Sequence, residues 1–384
     1  MIKKIILAAA ICVFTLNAFC QSANENLRVK FLKGNIAEKT LAVKQAENED
    51  KTWLAYKAID FALENREFFE NDTDLNELVV EAVFSLPEDF SDSKTFENLF
   101  TGFSSSNAVQ IALLAKAEEL GKNLKDSGFT EFLNNYIYEN NLAETDGDIL
   151  KTALASISKI GNKKSFIILF NIYNSNLYPQ LNDSFEPAIT ELMTDAIDES
   201  IAIIHNKNPK QIIQIFKIAE KNSQIPANFM CEIAENTISQ AILTVEDVST
   251  LQPELNEILL HSMKILSDSN WTRASDTALS YFQFAKKQYI GGLLPEANLI
   301  QIIDYLKNVS PVGSVTPLTV FLEEFNGQTS KGRSTPTELV RSIIKTLGAI
   351  GNNSAFDSLL AVTYLSYPES VLSAAREALA ELKW

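Results

Sequence analysis

The sequence is poor in the residues that build turns, metal sites and active sites. Its 384 residues include only 13 glycines and 11 prolines, too few to punctuate a β-sandwich or barrel of this length. The two histidines, His205 and His261, have no Cys or His neighbours at metal-ligand spacing, and no nucleophile motif surrounds them. We therefore expect a helical protein that is not an enzyme, with no catalytic residue, bound metal or cofactor.

Cysteine is equally scarce. Cys12 and Cys20 lie in the first twenty residues, which leaves Cys231 as the one cysteine further along the chain, so no internal disulfide is expected there. Cys231 belongs to the apolar helical stripe 229–234 and has no basic neighbour to activate it. The pattern predicts a buried structural thiol rather than a reactive one.

Positive charge is in the minority. The chain has 33 Lys and Arg residues against 49 Asp and Glu, which gives a net charge of -16 and a pI near 4.7. At long range this field repels phosphate backbones and anionic surfaces, so nucleic acid is not expected as a partner. With 46% hydrophobic and 21% charged residues, the composition is still that of a folded globular chain.

Long apolar runs are absent beyond the first twenty residues. Lys3 and Lys4 precede the apolar run 5–16, which predicts a signal peptide over 1–20 and an exported protein of the periplasm or cell envelope. A dozen apolar residues rise only about 18 Å as a helix, so a retained transmembrane anchor is disfavoured. Cys20 could instead become a lipid-bearing N-terminus, although Phe19 stands where a small residue is usual. Cleavage of the signal peptide without lipidation and lipidation of Cys20 both stay open.

The remaining sequence shows a helical period, with apolar residues three and four positions apart and no run that alternates as a strand does. Two acidic runs, 72–76 and 144–148, have the spaced oxygen ligands of calcium loops but lack the glycine and glutamate of an EF-hand. We expect them to cap helices, with Asp72 or Asp74 before one helix and Asp146 before another.

Internal similarity is the most informative feature. The segment 150–166 aligns without a gap with 340–356, and the Ile-Gly-Asn step falls at 160–162 and 350–352. A third copy, 302–322, lies 38 residues before the last, which is the length of a helical-hairpin repeat. We expect two amphipathic helices per unit joined at a corner, where Gly348 or Gly351 takes a positive φ.

Segments 150–192, 302–322 and 339–382 resemble HEAT-type repeats of exported bacterial proteins, most clearly in Leu-Gly-Ala-Ile-Gly at 347–351. Ser158 and Ser310 replace the first glycine in the other copies. The resemblance covers roughly a third of the chain and implies an all-α fold. Its architecture would be an α-solenoid of stacked antiparallel helix hairpins, HEAT/armadillo-like, with TPR-like or irregular hairpins as the alternative at 193–290. It implies a curved rod used for contacts and no chemistry.

The predicted organisation is a signal peptide over 1–20, N-terminal helical repeats over 21–148, central repeats over 149–325 and a C-terminal HEAT-like repeat over 334–384. The stretches 86–106 and 326–333 break the pattern, and we expect them to be irregular and exposed. Thr335-Pro336-Thr337-Glu338 predicts a capping box with Thr335 at the N-cap of the last unit.

One aromatic cluster is the candidate protein-contact site. Consecutive aromatic residues cannot all face one helical core, so at least one of them should be exposed or packed on a neighbouring hairpin. Ordinary packing between repeats is the alternative. The cluster consists of Tyr281, Phe282, Phe284 and Tyr289.

These patterns predict a non-enzymatic protein-binding or scaffold protein of the cell envelope that uses a helical-repeat surface. Its partner would be a protein with a basic or polar surface, and a membrane would be contacted only if Cys20 is lipidated. Two alternatives stay open: a hydrolase-type enzyme with a site in the irregular 193–290 region, and a lipid-anchored structural component of an envelope complex.

Overall fold

Helices account for nearly all regular structure in the computed structural model, which describes residues 27–69, 72–245 and 253–383. Within these ranges there is no strand, and the single bridge of β type joins Asn352 to Lys383. The fold is therefore all-α, as predicted. None of the described helices combines the length and the apolar character needed to cross a bilayer. The predicted signal peptide, 1–20, lies outside the described residues.

The chain divides into two compact units, with the boundary between Asp195 and Ala196. In the first unit, a helical segment at 27–33 precedes the helices α1 (Ile36–Gln45), α2 (Asn48–Asn65), α3 (Thr73–Phe84), α4 (Ser93–Gly102), α5 (Asn107–Leu120), α6 (Gly128–Glu139), α7 (Gly147–Ile160), α8 (Lys163–Ser175) and α9 (Asn182–Met193).

The second unit contains the helices α10 (Ile197–His205), α11 (Pro209–Lys221), α12 (Ala227–Thr244), α13 (Pro253–Asp268), α14 (Ser275–Ile290), α15 (Glu296–Val309), α16 (Val315–Thr329), α17 (Thr337–Ile350), α18 (Phe356–Thr363) and α19 (Glu369–Glu381). The predicted grouping of repeats at 21–148, 149–325 and 334–384 stays a prediction.

Within each unit, a helix packs mainly against the next helix and the next but one along the chain. In the first unit α1, α3, α5, α7 and α9 thereby form a first row, in which each helix lies against its successor. In the second unit α11, α13, α15, α17 and α19 form a second row. Because every helix is covered by near neighbours in sequence, the core is a series of similar layers.

Polar contacts join successive helices of a row. Ser156 Oγ donates to the carbonyl of Leu114 at 2.5 Å across 42 residues. Asn308 Nδ2 donates to Ser267 Oγ at 3.0 Å across 41 residues. These two separations are close to the length of one helix pair.

The two aligned copies share their helix ends but differ in the backbone of the corner. Helix α7 ends at Ile160 and α17 ends at Ile350, and each is followed by the aligned glycine. Gly351 is left-handed, with φ 70° and ψ 24°, as expected for a corner glycine. Gly161 is extended instead, with φ -70° and ψ 172°. Of the two glycines expected to take a positive φ, Gly351 is therefore the one that does, and Gly348 is helical and buried against Ala378.

The third copy is displaced relative to its sequence alignment. Helix α15 ends at Val309, and Ser310 takes the cap position, so the residue equivalent to Gly351 is Ser310 rather than Gly313. The offset between these corners is thus 41 residues, three more than the sequence alignment indicates.

Both stretches predicted to be irregular contain helix. Helix α4 lies within 86–106 and buries Phe96, Leu99 and Phe100, and the Phe96 ring is 5.2 Å from that of Phe129. Helix α16 continues to Thr329, into the predicted loop 326–333. In both cases tertiary burial stabilises sequences of weak helix propensity.

The predicted helix caps have mixed outcomes. Asp72 accepts hydrogen bonds from the backbone N–H groups of Asp74 and Leu75, and Asp146 caps α7 in the same way, so both predictions are confirmed. The prediction of a capping box at Thr335 was wrong, because α17 begins at Thr337, its N-cap residue is Pro336, and no side chain caps it.

Candidate functional site

The predicted aromatic cluster lies largely in the core of the second unit. Tyr281, Phe282 and Phe284 are buried, and the Phe282 ring makes an edge contact with Phe321 of α16 at 6.2 Å. Burial raises the pKa of the Tyr281 hydroxyl. Tyr289 is half-buried. Buried rings have no surface to offer a partner, so these positions favour packing between repeats over protein contact.

The two histidines occupy separate places in the second unit. His205 Nε2 is 2.7 Å from Asn236 Oδ1, and His261 Nδ1 is 3.2 Å from Glu220 Oε1. The His261 ring also packs edge-on against Phe216 at 5.7 Å. Each imidazole thus has a polar partner on a helix two places away along the chain.

Cys231 is buried, with 1% of its surface exposed, and is a free thiol, as predicted. Among the described residues, no three His, Cys, Asp or Glu side chains come together in a way that could hold a metal ion.

The exposed side of the first row carries apolar side chains where a solvated helix face would carry polar ones. Leu41 of α1 is 49% exposed and Phe84 of α3 is 48% exposed. The others are half-buried except for the exposed Pro187. We call this set the first-row face; it consists of Leu41, Val80, Phe84, Ile111, Ala115, Ala155 and Pro187. Isolated exposed apolar residues are ordinary, but here at least one exposed or half-buried apolar side chain lies on every helix of the row.

Charged residues flank this face. Lys44 reaches from α1 to α3, where its Nζ lies 2.7 Å from Glu77 and 3.5 Å from Glu81. The hydrogen bond with Glu77 is the main cause that raises the pKa of Lys44. Glu118 and Glu119 are exposed on α5. The first three helices of the row therefore place more carboxylates than cations beside these apolar residues.

A groove opens between α7 and α9 at the far end of the same face. Its floor consists of Leu154, Ala155, Pro187 and Ala188. At its edge Lys159 Nζ pairs with Glu191 Oε1 at 3.0 Å. Pro187 interrupts the interior of α9 and has no N–H to donate to the carbonyl of Asp183. The groove thus combines an aliphatic floor with a charged edge.

Helices of the second row expose charged side chains. Lys217 pairs with Glu254 between α11 and α13. On α13, Lys264 pairs with Asp268 at 2.5 Å. Further along, α17 exposes Glu338 and Lys345. Among the described residues, Leu41 and Phe84 are the large apolar side chains exposed on a helix of either row, and both belong to the first unit.

Sequence reasoning missed the first-row face. Its signal is nevertheless present, because Leu41, Phe84 and Ile111 lie beside the buried stripe of their helices and widen it. A single helix with a wide apolar stripe does not reveal which part is covered by its neighbours. Only the packing of the row separates the core residues from the exposed ones.

Comparison of the chain with protein-family models, with curated proteins and with solved structures finds no match.

Proposed function

We propose that this chain is a non-enzymatic scaffold protein of the cell envelope that binds another protein through the first-row face. In this proposal the tandem helix pairs form a HEAT-like α-solenoid of antiparallel hairpins. The layered packing within each unit supports it, as do the repeat-length contacts between helices. Export rests on the basic and apolar pattern at 1–20.

The observation that carries the binding proposal is the recurrence of exposed apolar side chains on successive helices of one row. Leu41 and Phe84 each leave about half of their surface in water, and covering such side chains is a main source of affinity in protein interfaces. The carboxylates of Glu77, Glu81 and Glu118 favour a partner segment with both basic and apolar residues.

Site-specific photo-crosslinking tests this proposal. A photoreactive phenylalanine analogue at Phe84 should form an adduct with a partner in envelope extract, whereas the same analogue at Tyr138 should not. Tyr138 lies on α6, outside the first row, and is 73% exposed, so it controls for accessibility.

A second substitution makes the test specific to the face. Leu41→Glu should lower the adduct yield at Phe84 about tenfold or more, because a charge would replace an apolar contact at the interface. Tyr138→Glu is the matched control and should leave the yield unchanged. Equal adducts at positions 84 and 138, or insensitivity to Leu41→Glu, would contradict the proposal.

A further inference from the structure

The two terminal helical segments differ in the polarity of their outer sides. At the C-terminal end α19 exposes Arg376 and Glu377, the polar surface that a terminal repeat needs in water. At the N-terminal end the segment 27–33 leaves Val29 48% exposed and Leu32 64% exposed. The first described helix thus turns an apolar side outward.

This segment is held firmly on the first unit. Arg28 forms an ion pair with Asp50 of α2, and its guanidinium lies 4.9 Å from the centre of the Trp53 ring. Phe31 is buried, and the Lys39 ammonium donates a hydrogen bond to its carbonyl. Because the inner side is fixed by these contacts, the outer side has a defined orientation.

The outer side is basic as well as apolar. At about 100° per residue, Val29, Lys30, Leu32 and Lys33 share an arc of roughly 160° on the side away from Phe31. Lys30 and Lys33 are exposed, and no ion pair is found for either among the described residues. We call these four residues the N-terminal face.

We propose that the N-terminal face docks on an anionic lipid surface, independently of the binding proposed for the first-row face. Lysines beside aliphatic side chains on one side of a helix are the composition of an interfacial helix, in which the ammonium groups meet lipid phosphates and the aliphatic groups enter the headgroup boundary. The net charge of -16 opposes approach from a distance. That field is screened beyond about 10 Å, so a face already held at the surface is governed by nearby charges, which are its two lysines and the Glu38 carboxylate beside Gly34.

The N-terminal face is close in sequence to Cys20, the candidate lipid-bearing residue. Leu27 lies seven residues beyond Cys20 (27 minus 20), a span of at most about 25 Å. A lipid on Cys20 would therefore keep the face close to the bilayer. A single lipid chain binds membranes only marginally, and a basic, apolar face is the kind of second signal that makes such binding stable.

The test uses the chain from Gln21 onward, tethered by an N-terminal histidine tag to vesicles that contain a nickel-chelating lipid, so that lipidation of Cys20 is not required. An environment-sensitive dye on Leu32→Cys reports insertion, and the buried Cys231 stays unlabelled. On vesicles of phosphatidylethanolamine and phosphatidylglycerol the dye emission should shift to the blue. On phosphatidylcholine vesicles the shift should be much smaller.

Neutralising Lys30 and Lys33 measures how much their charge contributes to docking on the vesicles. Lys30→Gln with Lys33→Gln should lower the docked-to-free ratio on the anionic vesicles roughly 30-fold, from about 1 kcal/mol per lysine. The exposed pair Lys287→Gln with Lys331→Gln should leave it unchanged. The proposal is wrong if both vesicle types give the same shift or if the two double variants behave alike. It is also wrong if soluble polyglutamate, but no vesicle, produces the shift, since that result would identify an acidic protein segment as the occupant.

Discussion

Some charged side chains in this protein are buried, and contacts with neighbouring groups partly offset the cost of removing them from water. Lys39 is the clearest case, because its ammonium is buried with no carboxylate partner among the described residues. It lies 4.9 Å from the ring centres of both Phe31 and Phe61 and donates to the Phe31 carbonyl. Cation–π attraction and this hydrogen bond favour the charged form. Burial outweighs them and lowers the pKa of Lys39 below its usual 10.5.

This shift predicts a pH dependence of stability. Between the lowered pKa of folded Lys39 and the ordinary value near 10.5, the unfolded chain binds the proton and the folded chain does not. The free energy of unfolding therefore rises with pH across that window, by at most about 1.4 kcal/mol per pH unit from this residue. Lys39→Met should remove this contribution, and urea unfolding at several alkaline pH values would measure it. Lys151→Met, at an exposed lysine of α7, is the control, and equal slopes for wild type and Lys39→Met would contradict the prediction.

At the scale of elements, identical sequence steps can form different corners. The Ile-Gly-Asn steps at 160–162 and 350–352 both end a helix, yet they use glycine for different reasons. Gly351 needs its left-handed φ of 70°, and an added Cβ would lie 3.0 Å from the Glu381 carbonyl. Gly161 has an ordinary φ, but an added Cβ would lie 2.2 Å from the Ile157 carbonyl and 2.9 Å from Leu192. At Gly351 the main requirement is the left-handed backbone conformation, whereas at Gly161 it is the lack of room for a Cβ atom.

Substitutions separate these two reasons. Gly351→Ala should lower the free energy of unfolding by about 1–2 kcal/mol, and Gly351→Asn by less, because asparagine tolerates the left-handed region. At Gly161, alanine and asparagine should both destabilise the protein to a similar extent, because any Cβ meets the Ile157 carbonyl. Chemical denaturation of the four variants measures the contrast. A benefit of asparagine over alanine at both positions would show that both corners are limited by conformation.

The whole molecule is built from layers that are complete within each unit. The apolar core of the first unit lies among helices up to α9, and that of the second lies among helices from α10 onward. In such an arrangement stability comes mainly from neighbouring pairs of helices rather than from one central core.

This organisation predicts that the units fold independently. Residues 27–195 and 196–383, expressed as separate chains, should each keep a helical circular dichroism spectrum and unfold cooperatively with denaturant. Leu154→Ala offers a control within the first fragment, because this side chain is buried and its truncation should cost about 2–5 kcal/mol. A fragment that shows no cooperative transition would contradict the prediction.

The sequence by itself determined the helical class, the caps at Asp72 and Asp146 and the burial of Cys231. These features depend on local periodicity, on short-range hydrogen bonds and on hydrophobicity, which a single chain displays directly. The tertiary structure alone decided which apolar residues are covered. It buried Tyr281 and Phe282 in the core and left Leu41 and Phe84 exposed, because coverage depends on which helix lies against which. It also decided the two corner geometries, since the space around Gly161 and Gly351 is set by residues as distant in sequence as Leu192 and Glu381.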